Sequence, residues 1–141
     1  MRKIFTLVAA ALLSAGSLSA AEPLFSETFA TAEDFGRWLE VDANEDGSKW
    51  QFNPDGDPSH VYYQYNSKNA ANDWLISPAI NIAEAGSYMV SYEVYGSSYK
   101  EAIEVWYGSA QSVAAMTTMG KSHESIPSAV SYTHLRAHET L

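Results

Sequence analysis

Hydrophobic and polar residues alternate with a period of two along much of the chain. Between positions 88 and 95, Tyr and Val occupy every second position, and Ile103, Val105 and Tyr107 repeat the pattern. Such alternation is typical of antiparallel β-strands that are buried on one face. Shorter strands are predicted at 24–29, 38–41, 49–53, 60–65, 74–77 and 122–126.

Clusters of Asp, Asn, Gly, Ser and Pro separate the predicted strands and indicate turns. They lie at 42–47, 53–58, 84–86 and 96–98. Helical signals are limited to one turn near 32–35 and a short stretch at 112–116. Many short strands with a turn signal about every ten residues predict an all-β sandwich.

The N-terminus has the pattern of a secretory signal peptide. Met1, Arg2 and Lys3 form a short positive head, and an apolar run follows at 4–13. This run is shorter than the roughly 20 residues that cross a bilayer, and small residues suited to cleavage follow it. We expect residues 1–21 to be removed after Ala21, or one residue earlier, and the mature chain to be secreted or held at the cell surface without direct membrane insertion.

The C-terminus has a different character. Residues 130–141 resemble the translation of a transposase-end adapter used in sequencing libraries, so we interpret them as adapter-derived read-through. His134 and His138, whose spacing suits two metal ligands on a helix, are set aside for this reason. We therefore expect residues 22–129 to be the N-terminal portion of one domain that is truncated at its C-terminus.

The amino-acid composition and net charge exclude several classes of function. The chain has 141 residues, 8 basic and 17 acidic side chains, and a formal net charge of −9. This acidic balance argues against nucleic acid or an anionic membrane as a partner, since both bind mainly through Lys and Arg. Because the chain has no Cys, disulfides, thiolate metal sites and a cysteine nucleophile are excluded.

Several blocks of sequence carry a family resemblance. They are Ser26-Glu27-Thr28-Phe29, the acidic turn that closes on Gly47-Ser48-Lys49-Trp50, Asn72-Asp73-Trp74-Leu75-Ile76-Ser77-Pro78, and the strand 101–107. Together they resemble the cleaved-adhesin family, the MAM-like choice-of-anchor J domains of secreted Bacteroidetes proteins, over nearly all of 24–119. The resemblance implies a jelly-roll β-sandwich, a structural calcium ion, and adhesion to host or matrix proteins or glycans. It implies no catalysis, and it implies further strands beyond the point where 130–141 begins.

The acidic turn offers oxygen ligands for a cation. Asp42, Asn44 and Asp46 occupy alternate positions before Gly47, which is how calcium-binding loops begin. An EF-hand is excluded because the twelfth position is Asn53 instead of Glu and no helices are predicted on either side. A solvated turn without a metal is the alternative interpretation.

Two further carboxylates favour the metal. Glu27 and Asp73 lie within otherwise apolar strand segments, and a buried carboxylate needs a partner. Since cationic side chains are few, a metal ion is a plausible partner. With the family resemblance added, we predict a structural calcium site formed from Glu27, Asp42, Asn44, Asp46 and Asp73.

Aromatic residues form a second candidate set. Tyr63, within a tyrosine-rich strand, and Tyr99, beside a Gly-Ser-Ser turn, are predicted to contact a ligand, whereas packing in the core is the alternative. Residues 22–129 contain two histidines, His60 and His123, and neither a Gly-x-Ser-x-Gly elbow nor a glycine-rich phosphate loop.

The sequence therefore favours a non-catalytic adhesion or ligand-binding module stabilised by calcium. Two alternatives remain open. One is a carbohydrate-binding module appended to a secreted hydrolase, and the other is a purely structural domain of a larger surface protein.

Overall fold

The computed structural model describes residues 10–12, 22–96, 101–126 and 131–139, with side chains described for 22–96 and 101–126. Short strands dominate this part of the chain, which confirms the predicted all-β fold. The strands are β1 (Ala10–Leu12), β2 (Leu39–Asp42), β3 (Trp50–Asn53), β4 (His60–Tyr63), β5 (Asp73–Ile76), β6 (Gly86–Val94), β7 (Ile103–Tyr107), β8 (Thr118–His123) and β9 (Ser131–Glu139). One α-helix, α1 (Ala32–Gly36), and one 3₁₀ turn (Val113–Ala115) accompany them.

The strands form small antiparallel sheets. β6 lies between β1 and β9, and the other pairs are β2 with β5, β3 with β4, and β7 with β8. The β2–β5 pair joins segments more than thirty residues apart and sets Asp42 directly opposite Asp73. The arrangement of these sheets as a jelly roll remains a prediction.

The core lies where the inward faces of these pairs meet. All four residues of β5 are buried, so this strand is covered on both faces. Its neighbours in the core are large aromatic and β-branched residues from β3, β6 and β7 and from segments between the strands. The cluster comprises Phe29, Trp38, Trp50, Trp74, Leu75, Ile76, Tyr92, Ile103, Val105 and Ile126.

Two predicted strands differ from the structure. The segment 24–29 forms an isolated bridge at Phe25 and no strand, and the chain leaves the extended conformation at Phe29, which has a φ of 51°. The strand predicted at 122–126 lies earlier, at β8, where it pairs with β7.

The short helix near 32–35 is confirmed as α1, and its start has a clear local cause. Thr31 Oγ1 accepts from Asp34 N at 3.2 Å, while Asp34 Oδ2 accepts from Thr31 N at 3.0 Å. This reciprocal capping box satisfies backbone donors that the first turn of a helix leaves open.

The segments interpreted as signal peptide and adapter each contribute one strand, β1 and β9, on either side of β6. The division of the chain at 21 and 129 stays a prediction. In the part of the chain that the structure describes, no helix combines the length and the apolar character needed to cross a bilayer.

Candidate metal centre

The acidic turn after β2 is built around the Asp42 carboxylate. Asp42 Oδ1 accepts from Asp46 N at 3.2 Å, and Oδ2 accepts from Gly47 N at 2.8 Å. These bonds require a tight reversal, which is made by Glu45 and Gly47 with φ values of 55° and 82°. Glycine adopts this left-handed conformation without steric cost, so the Gly47 position explains why the turn closes here.

Strand pairing brings a third carboxylate to this turn. Asp73 is the first residue of β5, and Ala43 N donates to Asn72 O at 3.1 Å beside it. Ligand oxygens of Asp42, Asp46 and Asp73 all lie within 4.8 Å of one another. We call these three residues the acidic group. Like charges placed this closely across paired strands are destabilising unless something neutralises them.

Asp73 has the most demanding environment of the three. Its side chain is 0% exposed, and among the described residues no donor meets hydrogen-bond geometry with either carboxylate oxygen. Burial and the negative charges of Asp42 and Asp46 raise the pKa of Asp73, although the nearby Tyr63 hydroxyl opposes the shift. The ionised form of Asp73 is therefore disfavoured without a cation.

Asp46 accepts hydrogen bonds through both of its carboxylate oxygens. Its Oδ1 accepts from Ser48 N at 2.8 Å and its Oδ2 accepts from Asn44 Nδ2 at 3.1 Å. The bond from the Ser48 backbone is the largest cause that lowers the pKa of Asp46. The acidic group thus combines one carboxylate held ionised with one that burial drives toward protonation.

Asn44 lies beside the acidic group, and its predicted role as a metal ligand stays a prediction. Its Nδ2 donates to Asp46 Oδ2 and, at 2.9 Å, to Ala70 O. Both bonds use the amide nitrogen, so the carbonyl oxygen of Asn44 is the atom left for a cation.

Glu27 lies in a different environment and is absent from the acidic group. Its Oε1 accepts from the backbone nitrogens of Thr28 and Phe29, both at 2.9 Å. Its Oε2 accepts from Arg37 Nη2 at 2.8 Å and from Trp38 Nε1 at 3.4 Å. The partner that this buried carboxylate needs is therefore supplied by an arginine and by main-chain donors.

Tyr63 packs inward and contacts the acidic group through its hydroxyl. Its ring lies 5.9 Å from that of Trp50, and burial together with the charge of Asp73 raises the pKa of the Tyr63 hydroxyl. The hydroxyl interacts with Asp73 without reaching strict hydrogen-bond geometry. The structure thus sets Tyr63 against the carboxylates. The other predicted ligand contact, Tyr99, lies outside the described residues.

His60 and His123 make structural contacts. His60 Nδ1 lies 2.9 Å from Pro58 O, and His123 Nε2 lies 2.6 Å from the Tyr92 hydroxyl. Burial and the charge of Lys121 lower the pKa of His123, which is the shift expected of an imidazole packed edge-on against the Tyr92 ring.

Sequence reasoning missed one residue next to the acidic group, Asn66. Asn66 Nδ2 donates to Asp46 Oδ2 at 3.4 Å and to Ser48 Oγ at 3.3 Å. Asn66 follows the predicted strand 60–65 in a polar run that looks like an ordinary loop, so only the neighbouring aromatic Tyr65 could have drawn attention to it.

Comparison with family models, with curated proteins and with solved structures found no match to this chain. The resemblance to the cleaved-adhesin family is therefore an expectation from the sequence blocks alone.

Proposed function

We propose that the chain is a non-catalytic adhesion or ligand-binding module, secreted or held at the cell surface, whose fold is stabilised by a calcium ion at the acidic group. The observation that carries the proposal is Asp73, a fully buried carboxylate that has no hydrogen-bond donor among the residues the structure describes and lies against two further carboxylates. A cation removes the repulsion and supplies the missing partner of Asp73.

The donor set favours calcium among the common metals. Asp42, Asp46 and Asp73 offer carboxylate oxygens, Asn44 adds an amide oxygen, and hard oxygen ligands are those that calcium prefers. Zinc is normally held by sulfur and nitrogen ligands, which the acidic group does not offer. When bound, the ion would provide charge neutralisation and cross-link the turn after β2 to the start of β5.

Export and adhesion rest on the sequence. The charged head and apolar run at 1–13 support passage through a secretory pathway. The resemblance to cleaved-adhesin domains supports host or matrix proteins or glycans as partners, and the net charge of −9 argues against nucleic acid. A carbohydrate-binding module of a secreted hydrolase is the second candidate, and a polar depression beside the acidic group favours it.

Calorimetric titration with calcium tests the metal directly. We expect saturable binding with a dissociation constant of about 10⁻⁴–10⁻³ M, the range of extracellular calcium modules, and loss of binding in Asp73→Asn. Asp55→Asn, in an exposed turn after β3, is the matched control and should bind like the unaltered chain. Equal binding by Asp73→Asn, or no binding by any of the three, would refute the site.

Export has its own measurement. N-terminal sequencing of the chain recovered from the medium or the cell surface should begin at Glu22 or one residue earlier. A chain that stays inside the cell with Met1 in place would refute the predicted localisation without bearing on the metal.

A further inference from the structure

A polar depression of about 630 Å³ lies beside the acidic group. Its volume falls in the ~300–1,000 Å³ range of small-molecule binding sites. The residues that carry its chemistry come from the end of the acidic turn, from β3 and from the segment after β4. They are Ser48, Lys49, Gln51, Gln64, Tyr65 and Asn66.

Strand alternation explains why this lining is polar. Trp50 is 5% exposed and packs in the core, so its neighbours Lys49 and Gln51 project from the opposite face of β3. Beyond β4, Gln64 and Tyr65 are exposed as well. The depression therefore presents amide and hydroxyl groups and one positive charge, that of Lys49. Among the described residues, its lining contains no Ala, Val, Leu, Ile or Met side chain.

Gln51 is held in a defined orientation. β3 and β4 pair Gln51 with Tyr62, whose hydroxyl donates to Gln51 Oε1 at 2.9 Å. This bond uses the amide oxygen and leaves Nε2 to donate to a ligand. Side chains oriented before binding lose less conformational entropy when a ligand arrives.

Asn66 fixes one wall of the depression. Its Nδ2 donates to Ser48 Oγ and Asp46 Oδ2, and its Oδ1 accepts from Lys68 N at 2.9 Å. The side chain is thus committed to internal bonds and serves as a rigid support. The same bonds connect the wall to the acidic group.

Tyr65 provides the apolar surface of the site. It is 49% exposed and lines the depression next to Gln64. An exposed tyrosine offers a flat ring face of low conformational entropy together with a polar hydroxyl. Such a ring contacts the C–H face of a pyranose, while neighbouring amides can both donate to and accept from its hydroxyls.

From this combination we propose that the depression binds a neutral saccharide, with the ring of Tyr65 against the sugar face and Gln51 and Gln64 hydrogen-bonded to sugar hydroxyls. An anionic ligand is disfavoured because the depression offers it one lysine in an otherwise acidic chain. An apolar ligand is disfavoured because it would leave the amide groups without hydrogen-bond partners. The inference deepens the ligand-binding part of the proposed function and does not require the cation.

The experiment is a calorimetric titration of the full chain with neutral tetrasaccharides of glucose, mannose, galactose and xylose, and with a sialylated trisaccharide as the anionic counterpart. We expect saturable binding of at least one neutral sugar and none of the sialylated one. Tyr65→Ala should weaken that binding about fivefold to tenfold, and Gln51→Ala about threefold to tenfold. Tyr95→Ala is the matched control, because Tyr95 is 67% exposed and does not line the depression.

The proposal is overturned if no neutral sugar binds, if only the sialylated sugar binds, or if Tyr65→Ala and Gln51→Ala both bind as tightly as Tyr95→Ala. Gln51→Ala keeps the test valid should Tyr65→Ala unfold. Calcium-dependent melting is recorded on the same samples. If the unaltered chain binds no sugar but is still stabilised by calcium, only the saccharide site is refuted. If it binds a sugar but calcium does not stabilise it, only the metal site is refuted.

Discussion

Glu27 and Asp73 are both buried carboxylates in apolar surroundings, but Glu27 has a positively charged neighbour and Asp73 has negatively charged ones. Glu27, 3% exposed, accepts from Arg37 and from two backbone nitrogens. Asp73, 0% exposed, has no such donor in the described part of the chain and lies against Asp42 and Asp46. Burial of a carboxylate therefore does not by itself indicate a metal. The charge of its neighbours distinguishes a structural ion pair from a cation site.

The largest loss of stability should come from removing Glu27, the carboxylate whose hydrogen-bonding and charged partners are all present. Glu27→Ala leaves the Trp38 Nε1 donor, two backbone donors and one face of Arg37 without their acceptor, so we expect a loss of about 3 kcal/mol in the free energy of unfolding. Urea unfolding measures the loss, with and without calcium. The loss should be the same in both conditions, because the structure holds Glu27 outside the acidic group.

Glu124→Ala is the control for this change, since Glu124 is exposed and should alter stability by less than about 0.5 kcal/mol. A Glu27→Ala chain that is as stable as this control, or whose defect disappears on adding calcium, would contradict the assignment of Glu27 to an ion pair with Arg37.

A smaller effect is expected from the cationic side of the same pair. Arg37→Met keeps the aliphatic stem but leaves Glu27 without its positive partner, and we expect a loss of about 1–2 kcal/mol. The value is below that of a fully buried pair because the Arg37 side chain is 50% exposed and partly screened. Thermal unfolding measures the loss, with Lys68→Met as an exposed control. Equal melting of the two variants would show that the backbone donors and Trp38 Nε1 hold Glu27 without Arg37.

The difference between the two carboxylates marks what the sequence could and could not predict. Local spacing was sufficient for the turn, because Asp42, Asn44, Asp46 and Gly47 lie within six positions. The opposition of Asp42 and Asp73 depends on β2 pairing with β5, a non-local choice that alternation does not encode. The Glu27–Arg37 pair was missed for the same reason, since it needs the chain to leave the extended conformation at Phe29 and form α1.

The polar depression shows a second limit of prediction from the sequence. Strand alternation predicts which residues of β3 face the core and which face the solvent. It does not predict where the solvent-facing residues form a depression. Gln51 and Tyr65 line one depression because β3 pairs with β4 and the segment after β4 turns back toward the acidic turn, where Asn66 contacts Asp46 and Ser48.

The pH dependence sharpens the comparison further. The pKa of Asp73 is raised above its ordinary value of 3.8. Without calcium and at pH values between 3.8 and the raised pKa, the folded chain therefore keeps a proton on Asp73 that the unfolded chain has lost. The contribution of Asp73 to stability therefore falls as pH rises from about 3.8 to its raised pKa, and then levels off. Unfolding of the unaltered chain and of Asp73→Asn in chelator, measured across this window, isolates the contribution. A difference between the two that does not change with pH would contradict the raised pKa.

Calcium and the proton should compete for the acidic group, because each stabilises the fold by neutralising the same carboxylates. At pH 7 and millimolar calcium, mass action at the expected affinity stabilises the fold by about 1 kcal/mol, which corresponds to a few degrees in Tm for a chain of this size.

The most direct test of the account is the Tm of the unaltered chain and of Asp73→Asn, each measured in calcium and in chelator. We expect calcium to raise the Tm of the unaltered chain and to leave that of Asp73→Asn unchanged. In chelator, Asp73→Asn should be at least as stable as the unaltered chain, since its amide can donate to the Asp42 and Asp46 carboxylates. Equal melting of the unaltered chain in calcium and in chelator, or an equal calcium shift in both proteins, would contradict a cation site at the acidic group.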